Sequence, residues 1–400
     1  MAASASRIVA LDALRGAGIL GILAVHIQLF AMPVAARANP TVYGSLTGAA
    51  GVVWLATYAL ADGKFIAIFA MLFGAGIAMQ AARREAAGVP AALPHYRRMT
   101  ALLLIGLLHA YLLWYGDMLV TFALCGALVY QHRDMAAPRL IVAGIVFFSI
   151  APLLSSALVW LAPDGLGQAA AISAPSADAI AQELAAYRGG WLAQQGHRVP
   201  TAWEFQTSYF GLRGLWQTSG LMLLGMGLWQ NGVLTGGRSA RWYAALTAGG
   251  FTLGVPLMLL AAHRGFARGW DLRDHMLVGV HFDYWGNMLV GLGWMGAILL
   301  AYRHGMVSNA VVAVGRTALS NYLLATLLCT TVFYGHGLAL FGSVDRVGQL
   351  LIVVLVWAIQ LIVSPWWLRR FAMGPLEWAL RSATLGHRVP IRLTTPEPVA

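Results

Sequence analysis

An all-α, polytopic membrane bundle is the fold class this sequence predicts, and three observations predict it. Apolar stretches of about 18 to 25 residues, enough to carry a helix across roughly 30 Å of hydrocarbon, recur along the whole 400-residue chain. Hydrophobic residues make up 59% and charged residues 10%, with a mean hydropathy of +0.70, a balance that excludes a soluble globule of this length. Arginine also clusters in alternate loops, the pattern that the positive-inside rule describes.

About ten spans are expected, at 16–35, 63–81, 99–116, 117–131, 139–161, 208–230, 242–262, 276–302, 311–335 and 347–368. The third and fourth are short because "LLWYGDMLV" must turn at Gly116-Asp117. One membrane domain over 1–400 follows, with 163–207 a loop between two five-helix halves and 370–400 a tail. No repeat relates the halves, and no pair of interrupted helices is legible.

Arg83, Arg84, Arg97 and Arg98 share one loop, Arg133 and Arg139 a second, Arg238 and Arg241 a third. Arg303 and Arg316 flank a fourth, and Arg369, Arg370, Arg381, Arg388 and Arg392 crowd the tail. With Arg7 and Arg15 these make 17 of the 26 basic residues, all on one side if there are ten spans. Both termini are therefore expected in the cytoplasm. The net charge of +11 is topological, and no soluble basic patch suggests a nucleic-acid partner. Cys125 and Cys329 fall inside spans and imply no disulfide framework. "VAARA" after the first span resembles a leader cleavage site, but a run this long that carries a histidine reads as a retained helix.

Within the long loop, "SADAIAQELAAYRGG" predicts a short helix with Ser176 as N-cap, Asp178 in its first turn and Gly189-Gly190 after its end. The loop either covers a site or merely joins the halves.

Polar residues inside the spans define the candidate site. Arg15 and His26 are eleven positions apart, which brings them to within about 20° on one helix stripe and separates them by about 16 Å of rise. Asp12 shares that stripe. Arg98 and His109 repeat the spacing, and Asp117 follows about 12 Å beyond His109. Asp62, Lys64 and Asp117 are expected to gather at the outer end, and His281, Asp283 and Asn287 line the outer half of the eighth span. Ionisable groups at membrane depth are costly and usually face protein or a water-filled cavity. No spacing, including that of His275 and His281, matches a zinc site, so no metal is expected. A serine nucleophile elbow, a phosphate-cradling glycine loop and a dinucleotide fingerprint are missing.

"LDALRG", followed after nine residues by His26, resembles the Arg-and-His signature of the membrane acyltransferases that decorate surface polysaccharides. "GKFIAIFAMLFGAGI", "RRMTALLLIGLLHAYLLWYGDML", "GRTALSNYLL" and "GPLEWALRS" resemble more closely the YeiB-like family of bacterial membrane proteins, and together with the signature they span most of the chain. That family is similar in fold to the heparan glucosaminide N-acetyltransferase and is grouped with it among the transmembrane acyltransferases. Where those relatives commonly carry Asn, this chain carries His26.

The resemblance implies acyl transfer from cytoplasmic acyl-CoA, acetyl-CoA being the expected donor, to a hydroxyl or amine of a small-molecule or glycan acceptor outside. His26, His109 and Asp12 are the candidate catalytic residues. Arg15, Arg97, Arg98 and Arg316 are the candidates for the CoA phosphates, because guanidinium groups hold phosphate in bidentate fashion. Lys64, Asp117, His281, Asp283 and Asn321 are the candidates on the acceptor side. The bilayer is the expected partner, and a homodimer is left open. The alternative is a transporter or flippase with a midplane polar site and proton-relaying histidines.

Overall fold

The computed structural model describes residues 8–161, 167 and 173–393. Among these there is no strand, and a single isolated bridge joins Phe371 to Arg392. Arg7 and the first part of the expected 163–207 loop lie outside the described residues.

The first half comprises α1 (Val9–Ala31), the single turn α2 (Ala35–Ala38), α3 (Gly48–Leu60), α4 (Lys64–Ala86), α5 (Ala92–Leu108), α6 (Leu119–Val129) and α7 (Ala137–Leu161). Then α8 (Ala177–Arg188) and α9 (Trp191–Glu204) form a cap. The second half contains α10 (Leu215–Gln230), α11 (Ala240–Ala267), α12 (Val280–Arg303), α13 (Asn309–Arg316), α14 (Ala318–Phe333), α15 (Arg346–Leu368) and α16 (Pro375–Leu385). Among the described residues six helical stretches, α3 and α4 counted together, are long and apolar enough to cross a bilayer, or seven if α13 and α14 make one span.

Burial separates core from rim. In α1, 72% of the most apolar window is enclosed by protein, against 28% in α7, 22% in α11 and 28% in α15. Exposed Val142, Leu253, Leu351 and Ile362 give the outer helices an apolar surface suited to lipid. Small residues set the closest approaches: a Cβ on Gly225 would lie 1.9 Å from the Met71 carbonyl oxygen, and one on Gly74 2.0 Å from that of Met222. The α4–α10 seam therefore closes only with glycine on both helices.

One expected span is broken, and another is preceded by a helix that was not expected. α3 precedes the expected 63–81 span and is separated from α4 at Ala61–Gly63, where Gly63 has φ +77°, a conformation that glycine adopts without strain. α13 and α14 meet at 89° around Thr317. That bend frees the first amides of α14, and Glu377 of α16 takes them, accepting from Leu319 N at 2.7 Å and Ser320 N at 3.2 Å. The segment expected as a tail thus contains a docked helix, and "GRTALSNYLL" and "GPLEWALRS" meet at this cap.

The turn at Gly116-Asp117 is present. α5 ends in a π-helical turn, His109–Leu113, and Asp117 caps α6 by accepting from Leu119 N at 2.7 Å and Val120 N at 3.1 Å. Ser176 caps α8 as expected, accepting from Ala179 N at 3.2 Å. The loop is a packed cap as well as a connection. Trp191 and Arg198 of α9 both donate to the Leu112 carbonyl, left unpaired at the end of the π-helical turn. Arg188 donates to the Phe341 carbonyl, and Glu183 accepts from Val34 N.

Candidate functional site

α1 carries the stripe. At its first turn Arg15 pairs with Asp12 at 3.1 Å, and both line a cleft of about 410 Å³ with Arg83 of α4 and Arg381 of α16. That volume lies in the usual range for ligand pockets. Arg98 of α5 stacks over Phe73, 5.2 Å from its centroid, and lies within electrostatic reach of Arg15.

Of the four expected CoA arginines, Arg15 is the one that lines this cleft. Arg97 lies against Gly386 at the end of α16, and Arg316 donates to the Ala372 carbonyl at 3.3 Å. Asp12 belongs to the cleft and not to His26, which is fourteen residues, or about 21 Å, further along α1.

His26 is buried, and among the described residues its ring makes no hydrogen bond. Its centroid lies 5.0 Å from that of Trp114, whose indole N–H is buried without an acceptor. On the α14 side an apolar hollow lined by Ile22, Leu23, Tyr322 and Ala325 reaches the imidazole. On the other side Arg37 and Asp62 are within electrostatic reach.

His109 is differently placed. One ring nitrogen pairs with Asp117 at 3.0 Å and the other with the Thr326 hydroxyl at 3.0 Å, with both side chains of the pair fully enclosed. Neither nitrogen is left for an incoming group. His109 and Asp117 therefore tie α5, α6 and α14 together, and Asp117 stands apart from Asp62 and Lys64.

The expected Asp62, Lys64 and Asp117 cluster is replaced by a recess at the α3–α4 break. Arg37 of α2 pairs with Asp62 at 2.8 Å. The amide of Asn287 on α12 lies against Gly63 and donates to Asp283 at 3.1 Å, and Asp283 faces Arg213 at 3.6 Å. Lys64 is wholly buried, donates to the Tyr58 carbonyl, and lies deeper than expected because its helix packs on Gly291 midway along α12. Arg37, Asp62 and Arg213 retain 32%, 25% and 27% side-chain exposure, so none of them is sealed inside the protein.

His281 bonds the Ser156 hydroxyl at 2.9 Å and braces α12 on α7. Asn321 donates to Thr317 and to Ser364 at 2.9 Å, holding the α13–α14 bend against α15. Neither is brought to the recess.

Sequence reasoning missed Arg37, Arg213 and Trp114 as site residues. A signal existed for the arginines: they are two of only eight outside the arginine-rich loops, and such residues need carboxylates, as Arg264 finds in Asp274 at 2.6 Å.

A helical membrane bundle with a buried histidine between a cationic cleft and an ion-paired recess defines a polytopic membrane protein with an internal polar site. Within that class, the chain belongs to the YeiB-like family. It is 33% identical over 392 residues to YeiB of Escherichia coli (strain K12), covering 95% of this chain and 96% of the relative. It is 29% identical over 423 residues to YxaH of Bacillus subtilis (strain 168), covering 97% of each. A 39.9 kDa protein in the amylase 3′ region of Bacillus acidopullulyticus is 24% identical over 97% of this chain and 96% of its own. All three relatives are described as uncharacterized. Residues 228–387 match the family described as Protein of unknown function (DUF418). No solved structure matches.

Proposed function

We propose that this protein is an inner-membrane acyltransferase of about ten spans with both termini cytoplasmic. In this reading it moves an acyl group, acetyl being the expected one, from cytoplasmic acyl-CoA to a hydroxyl or amine of an extracytoplasmic, sugar-containing acceptor. The observation that carries it is His26, a buried imidazole without a hydrogen-bond partner among the described residues, placed between the Arg15 cleft and the Arg37–Asp62 recess.

The chemistry follows from that placement. Phosphates of the donor sit at Arg15 and Arg98, and the thioester reaches toward His26, about 16 Å away along α1. His26 takes the proton of the acceptor hydroxyl or amine as its oxygen or nitrogen attacks the thioester carbon. The Trp114 N–H is the donor available to the oxyanion. When the C–S bond breaks, the thiolate leaves and His26 returns the proton to it.

The two broken helices support a second reading, a transporter, because interrupted helices whose ends face a midplane site are a recurring transporter device. Reconstitution separates the two. Liposomes containing the purified protein and loaded with radiolabelled acetyl-CoA should pass label to an added sugar acceptor outside without losing CoA. Release of intact solute, with no acylated product, would replace the first reading by the second. A reporter fused after Ala400 should be active in the cytoplasm, and thiol labelling of engineered cysteines between Asp178 and Gln195 should occur from outside.

A further inference from the structure

The recess holds more positive than negative charge. Among the described residues, the acids that Arg37, Lys64 and Arg213 face are Asp62 and Asp283, and the neighbouring His26, His275, Tyr58, Tyr209 and Tyr284 carry no negative charge at neutral pH. The two arginines border one space, since Asp62, the partner of Arg37, precedes Gly63, against which Asn287 lies, and Asn287 donates to Asp283, which faces Arg213. Their ion pairs leave capacity unused: Arg37 spends one terminal nitrogen on Asp62 while its Nε is buried without a hydrogen-bond partner, and Arg213 meets Asp283 only at 3.6 Å.

An excess of positive charge within a low-dielectric bundle is costly, and a guanidinium fork is matched to carboxylate or phosphate. We infer that the recess binds an oxyanion, a carboxylate or phosphate, with Arg37 and Arg213 as its ligands and Asp283 as the competing internal anion. Naming this anion as part of the acceptor rests on the acyl-transfer reading: the acceptor is then an acidic sugar or a sugar phosphate. An anionic lipid headgroup offers the same chemistry.

The test is thermal unfolding of the purified protein in phosphatidylcholine nanodiscs at fixed ionic strength, titrated with glucose, glucuronate or glucose 6-phosphate. At least one of the acidic sugars should raise Tm saturably, and glucose should not. Arg213→Gln should weaken the apparent affinity at least about tenfold, the size of a lost charged hydrogen bond. Asp283→Asn should tighten it, which a purely structural role would not produce, and this arm decides alone if Arg213→Gln fails to fold. Discs containing phosphatidylglycerol that raise Tm without sugar and blunt the sugar's shift assign the anion to a headgroup; unchanged shifts assign it to the soluble acid.

Equal shifts from glucose and the acids, no shift from either acid, or affinities in the variants equal to the parent's, would overturn the inference. Anion binding without acetyl transfer would keep it and remove the acyl-transfer reading. Acetylation of glucose as fast as glucuronate would do the reverse.

Discussion

His26 and Trp114 stand with ring centroids 5.0 Å apart and planes inclined at 58°, and the indole also stacks on Phe30 at 4.1 Å. The imidazole is thus held by packing alone, with its nitrogens uncommitted among the described residues. If it is the base, His26→Ala should lower acetyl transfer by about 10² to 10⁴ while acyl-CoA binding stays near normal. His26→Asn keeps a hydrogen-bonding group that cannot act as a base. Single-turnover rates should show it as slow as the alanine variant, and parental turnover would reduce His26 to positioning.

The four arginines expected at the donor should divide in two. Arg15→Ala and Arg98→Ala should each weaken acyl-CoA binding by about 1.5 to 3 kcal/mol, the range for a hydrogen bond to a charged group. Arg97→Ala and Arg316→Ala should change it little, since these side chains lie at Gly386 and Ala372. Calorimetric titration of the four variants checks the division.

His109 and Asp117 should behave as a structural pair. Asp117→Asn or His109→Ala leaves a buried partner unsatisfied, a cost of about 1 to 3 kcal/mol in stability. A lowered Tm should appear in both, with the remaining activity tracking the folded fraction. A parental Tm with activity abolished would instead move His109 into the chemistry.

Glu183 gives the cap a pH dependence. Burial pushes its carboxyl up to about 7, with the Val34 N–H bond opposing. Because the folded value is raised, the stabilisation is fully present below the unfolded value and is lost as pH rises through about 7. His197, 3.5 Å from Glu183, is shifted the other way by burial, so its contribution is present above its ordinary value and fades as pH falls. Hydrogen exchange in α8 should therefore quicken more than intrinsic exchange does as pH rises from about 4.5 to about 7 and show no further excess above that, and Glu183→Gln should remove the excess.

Much of the architecture was legible because it is written in local patterns. Apolar runs located most of the long helices but not α3, the arginine loops suggested their alternation, and Ser176 with Asp178 marked the start of α8 to the residue. The Gly116-Asp117 turn was equally local, since an aspartate followed by an apolar run is a helix start. The stripe was legible too: helical periodicity alone aligns Arg15 with His26.

What only the tertiary structure decided was which polar group meets which. Arg98 and His109 have the same spacing as Arg15 and His26, yet His109 has both nitrogens bonded while His26 has neither among the described residues. Nothing along α5 marks that difference, because Thr326 lies 217 positions away and meets His109 only through the rotation and depth at which α14 packs. Arg37 likewise reaches Asp62 only because α2 folds back beside the break at Gly63. Periodicity fixes the face of a helix on which a side chain lies, but the partner on that face is set by interhelical packing, and in a low-dielectric core the presence or absence of a partner decides whether a polar residue holds the fold or is left to act.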